Sequence, residues 1–280
     1  MTTAARDTAE HTPVSRSDPV DVRLSFVRIL RSEWLKLRTL RSTWIALGAA
    51  IVVLVLAAGL IGHHVHTRLV HPGFFEDPED KDVLTTPLRG FGLTQLIIGV
   101  LGVLAVTGEY ATGMIRATFS AVPKRLPVLW AKLLVFSALG FAAMLVATFA
   151  AFFTAQAFLG SYSISITGPN ALRVVIALAG YLTMVGLLGL GLGFVVRSTA
   201  GGIAALVGIV LVLPGILAAL NTSWANTTSH YLPLSAGLAM FSDTPAMGGD
   251  LGPGAGTVVM SAWVVASVIA AAVLLTKRDA

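Results

Sequence analysis

Four histidines, His63, His64, His66 and His71, stand close together, and the acids Glu76, Asp77, Glu79, Asp80 and Asp82 follow them. Imidazoles and carboxylates so spaced are raw material for a transition-metal site. The competing account is an outer loop whose acids serve solubility. The sequence therefore assigns no metal and leaves the histidines as candidates only. The run GLLGLGLGF (Gly186–Phe194) has the outline of a dinucleotide fingerprint, but it follows no strand and lies in a long apolar stretch, so no cofactor is assigned to it. No G-x-x-x-x-G-K-[ST] occurs anywhere, so the chain has no phosphate cradle for ATP. The absence of cysteine excludes thiolate catalysis and cysteine-ligated metals. No apolar stretch holds the Ser–Lys, His–Glu or paired-Asp set of an intramembrane enzyme.

The elements that would position any such chemistry follow from composition. Of 280 residues 55% are hydrophobic and only 12% charged, about half the charge of a soluble domain. So much apolar surface has no place in a soluble globule of this size, which excludes an ordinary cytosolic enzyme, a disordered protein and a nucleic-acid binder. Six charge-free stretches recur, at about 44–62, 92–108, 133–159, 174–196, 201–220 and 257–276. Each approaches or exceeds the roughly 20 residues a helix needs to cross a hydrocarbon core of about 30 Å, and the third is long enough to tilt or project. Fold class is thus predicted as an all-α integral membrane protein with six transmembrane helices. Of the 19 basic residues only Arg68, Lys81, Arg89 and Arg173 fall on one side, which predicts that both termini are cytoplasmic.

Around these spans, residues 1–22 read as a disordered cytoplasmic tail, 23–43 as an interfacial amphipathic helix, and 277–280 as a cytoplasmic C-terminus. In the interfacial helix Phe26, Val27, Leu30, Trp34 and Leu37 form an apolar stripe, with Arg28, Arg31, Lys36 and Arg38 toward the other faces and Trp34 at headgroup depth. Glu33 and Lys36 are spaced to pair along one helix. Before the last span, residues 221–256 form an outer segment. Within it YLPLSAGLAMF (Tyr231–Phe241) is too short to cross and fits a re-entrant or interfacial element, an ordinary external loop being the alternative. Small residues four apart, Gly189/Gly193 and Gly201/Ala205, predict close helix packing. Thr94, Gln95, Thr107, Thr148, Thr154 and Gln156 are the main polar groups in the spans, and interhelix hydrogen bonds account for them. With no Asp, Glu or Lys in any span, an ion relay is lacking.

Between the second and third spans runs GEYATGMIRATFSAVPKRLPVLWAKLL (Gly108–Leu134). Glu109 closes one span, a Gly113-punctuated helical stretch follows, Pro123-Lys124-Arg125 makes a basic turn, and Lys132 opens the next span. Together with SEWLKLRTLRSTW before the first span and LGLGFVVRSTAGGIAALVGI around Arg197, this stretch resembles the permease subunit of bacterial ABC type-2 transporters. That resemblance implies a multi-pass plasma-membrane subunit of an ABC exporter, without enzyme activity or cofactor of its own. Its partners would be a cytoplasmic ATP-binding subunit that carries ATP and Mg²⁺, a second permease copy or related permease, and the bilayer, with no nucleic acid. It also implies a coupling loop at 109–127, with Glu109, Tyr110, Gly113, Arg116, Pro123, Lys124 and Arg125 in contact with the ATPase and Arg197 in a second, shorter contact. The alternatives are a membrane self-protection (immunity) protein without transport of its own and an ion-coupled secondary carrier. The transported substrate does not follow from the residues.

Overall fold

The computed structural model describes residues 25–71, 82–242 and 251–277. The N-terminal tail, most of the acidic cluster after the histidines, and Arg278 lie outside them. Among the described residues there is no strand. Helix α1 (Phe26–Thr39) stops at Leu40, whose extended backbone turns the chain into α2 (Arg41–Val70). A 3₁₀ turn (Thr86–Phe91) leads into α3 (Gly92–Ala111), and a short α4 (Met114–Ala121) joins it to α5 (Leu126–Leu159). Then come α6 (Ala171–Val196), α7 (Thr199–Val207), a π segment (Gly208–Val212), α8 (Leu213–Leu220), α9 (Ser223–Ser229), α10 (Pro233–Phe241) and α11 (Pro253–Lys277).

Six helical stretches are long and apolar enough to cross a membrane: Arg41–Val70, Thr86–Ala111, Leu126–Tyr162, Ala171–Val196, Thr199–Leu220 and Pro253–Lys277. Most are longer than their charge-free cores, because helix geometry continues through polar flanks once the central turns are formed. The 34 residues of α5 make a rod of about 50 Å, well beyond a hydrocarbon core. Pro127 sits in its first turn, where the missing N–H leaves no bond unmade. The extension of α2 changes the reading of the histidines. His63, His64 and His66 lie on a helix rather than in a loop, and successive positions diverge by about 100° around its axis.

α6 is the hub, packed against α3, α5, α7, α10 and α11. Its contact with α3 depends on glycine. A Cβ at Gly102 would overlap the Gly186 carbonyl oxygen, and one at Gly189 the Gly99 carbonyl oxygen. Gly193 faces the Val103 backbone in the same seam. Lipid gives helices no hydrophobic reason to associate, so close backbone approach and the dispersion it brings must do so. The glycine run thus serves packing. Polar groups lock the same interfaces: Tyr181 Oη donates to Gln95 Oε1 at 2.5 Å, and Thr199 Oγ1 to Thr107 Oγ1 at 3.0 Å. Gln156 ties α5 to the Val83 carbonyl and accepts from the Ile164 N–H. Thr148 instead bonds within its own helix, and Thr154 packs on Gly59.

In the fifth span the π segment ends just before Pro214. Proline there cannot donate to the carbonyl one turn back, and the wider π turns absorb the misfit. α10 is only nine residues long, too short to cross, and packs on α6 and α11 with Gly237 against the Tyr181 ring. Arg173 on α6 donates to the Met240 and Ser242 carbonyls at 3.2 and 2.7 Å, satisfying the end of α10.

Candidate functional site

α1 lies against α5 through Ile29, Glu33 and Leu37, which recur every fourth residue and share one face. Lys36 borders that face. Of the apolar stripe expected from sequence, Leu37 belongs to the packing face and Leu30 is half-buried, while Phe26, Val27 and Trp34 are exposed, as are Arg28, Arg31 and Arg38. Lys36, expected among the outward basic residues, turns inward. The reason is electrostatic. Glu33 on its inner face, Glu109 near the end of α3 and Lys132 in α5 converge with Lys36 in one cluster.

Each of the four residues is ion-paired, although Glu109 is engaged through Oε1 alone and its Oε2 is buried without a hydrogen-bond partner. Lys132 Nζ lies 2.6 Å from Glu33 Oε2 and 2.8 Å from Glu109 Oε1, and it also donates to the Ala105 carbonyl at 3.2 Å. All three of its protons have acceptors, which is what a buried ammonium requires. Lys36 Nζ lies 2.7 Å from Glu33 Oε1 and 3.0 Å from Glu109 Oε1, with Thr118 Oγ1 of α4 at 3.5 Å. Side chains of Glu33, Lys132 and Glu109 are 2%, 3% and 6% exposed and that of Lys36 24%, so this is a buried quartet with one member at its rim. Two carboxylates and two ammoniums sum to zero. Burial alone would lower the Lys36 pKa, but the hydrogen bonds and charges of Glu33 and Glu109 together hold it above its ordinary value. The quartet fastens α1 to α3, α4 and α5 at one end of the bundle.

Glu109 and Lys132 thus lie in the helices that carry the second and third spans, one residue beyond the charge-free stretches 92–108 and 133–159. They sit near helix ends, and each is neutralised by the other. Nor does Glu109 present itself to a partner chain. It is buried, and what it can influence is the elbow that follows it. There Gly113 adopts φ 71°, a left-handed conformation that costs a glycine little, and turns α3 into α4. α4 buries Ile115 and Phe119 and exposes Met114, Arg116 and Ala117. Pro123 and Lys124 are exposed in the turn before α5, and Tyr110 is half-buried.

A second set gathers at the same end. Arg125 Nη1 donates to the Leu275 carbonyl at 3.1 Å, and its guanidinium lies 5.5 Å from the Phe119 ring centre. Arg197 Nη2 donates to the Leu274 carbonyl at 3.2 Å, and its guanidinium lies 5.5 Å from the Tyr110 ring centre. Both arginines therefore cap the C-terminal turn of α11 from other elements, where carbonyls need donors and the helix dipole favours cations. Of the residues expected in ATPase contact, Arg116, Pro123 and Lys124 stand at the surface. Glu109, Tyr110, Arg125 and Arg197 make intramolecular contacts. Sequence reasoning missed Glu33 and Lys132 as members of the site. The signal for them was a charge beside each span end, with nothing to say which charges meet.

At the opposite end, His66 Nδ1 donates to the Leu159 carbonyl at 3.1 Å, and His63 packs edge-on against Phe158. No group of three or more potential metal ligands gathers among the described residues.

Six apolar helices in an all-α bundle, with the short α4 between the second and third spans, describe a multi-pass membrane protein. The sequence profile of the ABC-2 family transporter proteins matches residues 29–215, about two thirds of the chain, so this protein belongs to that family. The match includes nearly all of α1, the whole quartet, α4 and the first five spans up to Pro214. No curated protein and no solved structure is matched.

Proposed function

We propose that this chain is the membrane-spanning permease subunit of an ATP-driven exporter in a bacterial plasma membrane. Both termini would be cytoplasmic, and ATP and Mg²⁺ would be held by a separate subunit docked at the α4 end. The observation that carries the reading is the joint between α1, α3, α4 and α5. α4 exposes Met114, Arg116 and Ala117 while its inner side and the quartet behind it are tied to two spans. A push on such an element reaches α3 and α5 together, because a packed helix and a charge-paired joint move as a unit. The distribution of Lys and Arg supports the orientation. One principal loop of this kind per chain favours a working unit of two permeases and two ATPases, with the solute path between the permeases.

The test is reconstitution with the ATP-binding subunit encoded in the neighbouring reading frame. The complex is expected to co-purify and to move solute only with ATP. Reversal of the exposed charge in Arg116→Glu is expected to uncouple ATP hydrolysis from transport while the chain still folds. Disulfides engineered across a symmetric permease interface, in a chain without cysteines of its own, are expected to trap dimers and stop transport. Protection of cells without ATP-dependent movement of any solute would point instead to an immunity protein. Transport driven by a proton gradient alone would point to a secondary carrier.

A further inference from the structure

Beside the quartet, the turn 123–127 and the last turn of α11 enclose a cleft of about 620 Å³, walled by Leu126, Pro127, Leu275 and Thr276. Its cations are Lys124 and Arg125, and Lys277 follows directly on Thr276. Among the described residues no carboxylate lines it. The two acids on neighbouring elements, Glu33 and Glu109, are consumed by the buried quartet. Lys124 is exposed, and on its other side a second cleft of about 530 Å³ separates the same turn from Phe26 and Ile29 of α1.

Two apolar stripes lead away from the cleft along the spans. On α5, Leu126, Trp130 and Leu134 are 37%, 53% and 52% exposed, one helical turn apart. On α11, Val273, Ile269 and Val265 are 42%, 57% and 54% exposed at the same spacing. α5 starts at this end and α11 finishes here, so both stripes run from the basic cleft toward the bilayer centre. Trp130 lies one turn inside, at the depth where indole rings favour the headgroup boundary. A cleft with cations at its mouth and no acid among its described lining residues, continued by apolar tracks about 12 Å long, is complementary to an anionic amphiphile.

We propose that this cleft is a binding site for one anionic glycerophospholipid, its phosphate at Lys124 and Lys277 and its acyl chains along the exposed faces of α5 and α11. Basic pockets at membrane-helix ends suit anionic headgroups, and the surrounding low dielectric strengthens each contact. The proposal stands independently of ATP coupling, since it concerns the free chain in a bilayer.

The experiment uses the full-length chain in phosphatidylcholine nanodiscs with or without phosphatidylglycerol. It reads phosphatidylglycerol retained by native mass spectrometry and the unfolding midpoint. The wild type is expected to retain phosphatidylglycerol over phosphatidylcholine and to melt higher when it is present. Lys124→Gln and Lys277→Gln are each expected to lower that preference about fivefold, and Lys124→Arg to preserve it. Trp130→Ala is expected to weaken retention of the lipid without reversing the headgroup preference. Inorganic phosphate should not compete. Displacement of the lipid by inorganic phosphate would make this a plain anion site and overturn the lipid assignment. An equal loss on Arg28→Gln/Arg31→Gln, which removes charge from α1, would show diffuse attraction and overturn the site. Unchanged preference in Lys124→Gln/Lys277→Gln would do the same.

Discussion

Replacing Lys132 with methionine tests the quartet most directly. Methionine keeps most of the stem's volume and removes only the ammonium. In the wild type that ammonium is 3% exposed and serves Glu33 Oε2, Glu109 Oε1 and the Ala105 carbonyl. Without it, two buried carboxylates share only Lys36, and the cluster carries one uncompensated negative charge. Removing one partner of a buried ion pair costs about 3–5 kcal/mol, because the charge left behind has lost both its partner and water. That is a large share of a stability of about 5–15 kcal/mol. The double variant Glu33→Gln/Lys132→Met restores neutrality, since Glu109 keeps Lys36 at 3.0 Å. It is expected to recover about 1–3 kcal/mol relative to the sum of the single losses. Equilibrium unfolding in mixed micelles titrated with a denaturing detergent reads both quantities. A Lys132→Met chain as stable as wild type within about 1 kcal/mol, well below the buried-pair cost, refutes the reasoning. A double variant no better than the additive sum refutes it equally.

Four further outcomes follow. Lys36 has a folded-state pKa above its ordinary 10.5, so its contribution to docking α1 is complete below 10.5 and fades as pH rises through the higher value. Protease or label access to α1 should increase in that alkaline range, and Lys36→Met should remove the transition. Gly102→Val and Gly189→Leu drive side chains into the Gly186 and Gly99 carbonyls and should each cost about 1–3 kcal/mol or more, read as loss of engineered α3–α6 cross-links. Gly108→Ala, on the same helix with nothing within 4 Å of the added methyl, should be neutral or stabilising by up to about 1 kcal/mol. Arg197→Ala strips the Leu274 carbonyl of a charged donor and should cost about 1.5–3 kcal/mol, seen as faster hydrogen exchange in the last turn of α11.

The six spans were legible because a charge within a hydrocarbon core is costly, and its absence over twenty residues is a signal any window detects. The glycine seam was legible in part. Gly189 and Gly193 announced close packing, but their partners Gly99 and Val103 are ninety residues earlier and only the folded chain pairs them. The quartet was not legible, for a related reason. Glu33, Lys36, Glu109 and Lys132 each stand beside a span end, where a charge facing headgroups and a charge facing another helix look alike. What decides between them is the fold of α1 back onto α5, and that is set by Ile29, which the amphipathic reading left outside its apolar stripe, and by Leu37, which it placed within it. Local periodicity gave weight to Trp34 and Val27, which are exposed, over a packing face interrupted by Glu33. The packing face is interrupted by charge for the very reason that it packs against charge.

The internal arrangement of the quartet has a consequence for how this joint opens. Four ion-pair contacts hold it, and they fall into two kinds. Glu33 with Lys36 is a pair within α1 at 2.7 Å, and Glu109 with Lys132 is a pair between α3 and α5 at 2.8 Å. The other two, Lys132 with Glu33 at 2.6 Å and Lys36 with Glu109 at 3.0 Å, cross the seam between α1 and the elbow. Drawing α1 away from the elbow breaks only the crossing contacts and leaves a neutral pair on each side. No lone charge is stranded, so separation avoids the penalty that makes single truncations severe. An apolar seam of the same shape would hold as well at rest, but parting it would expose bare hydrocarbon with nothing to compensate. A seam built from two self-sufficient pairs is sensitive to loss of any one residue yet yielding to a rigid-body shift, the combination a joint at the root of two spanning helices needs if it is to move without unfolding.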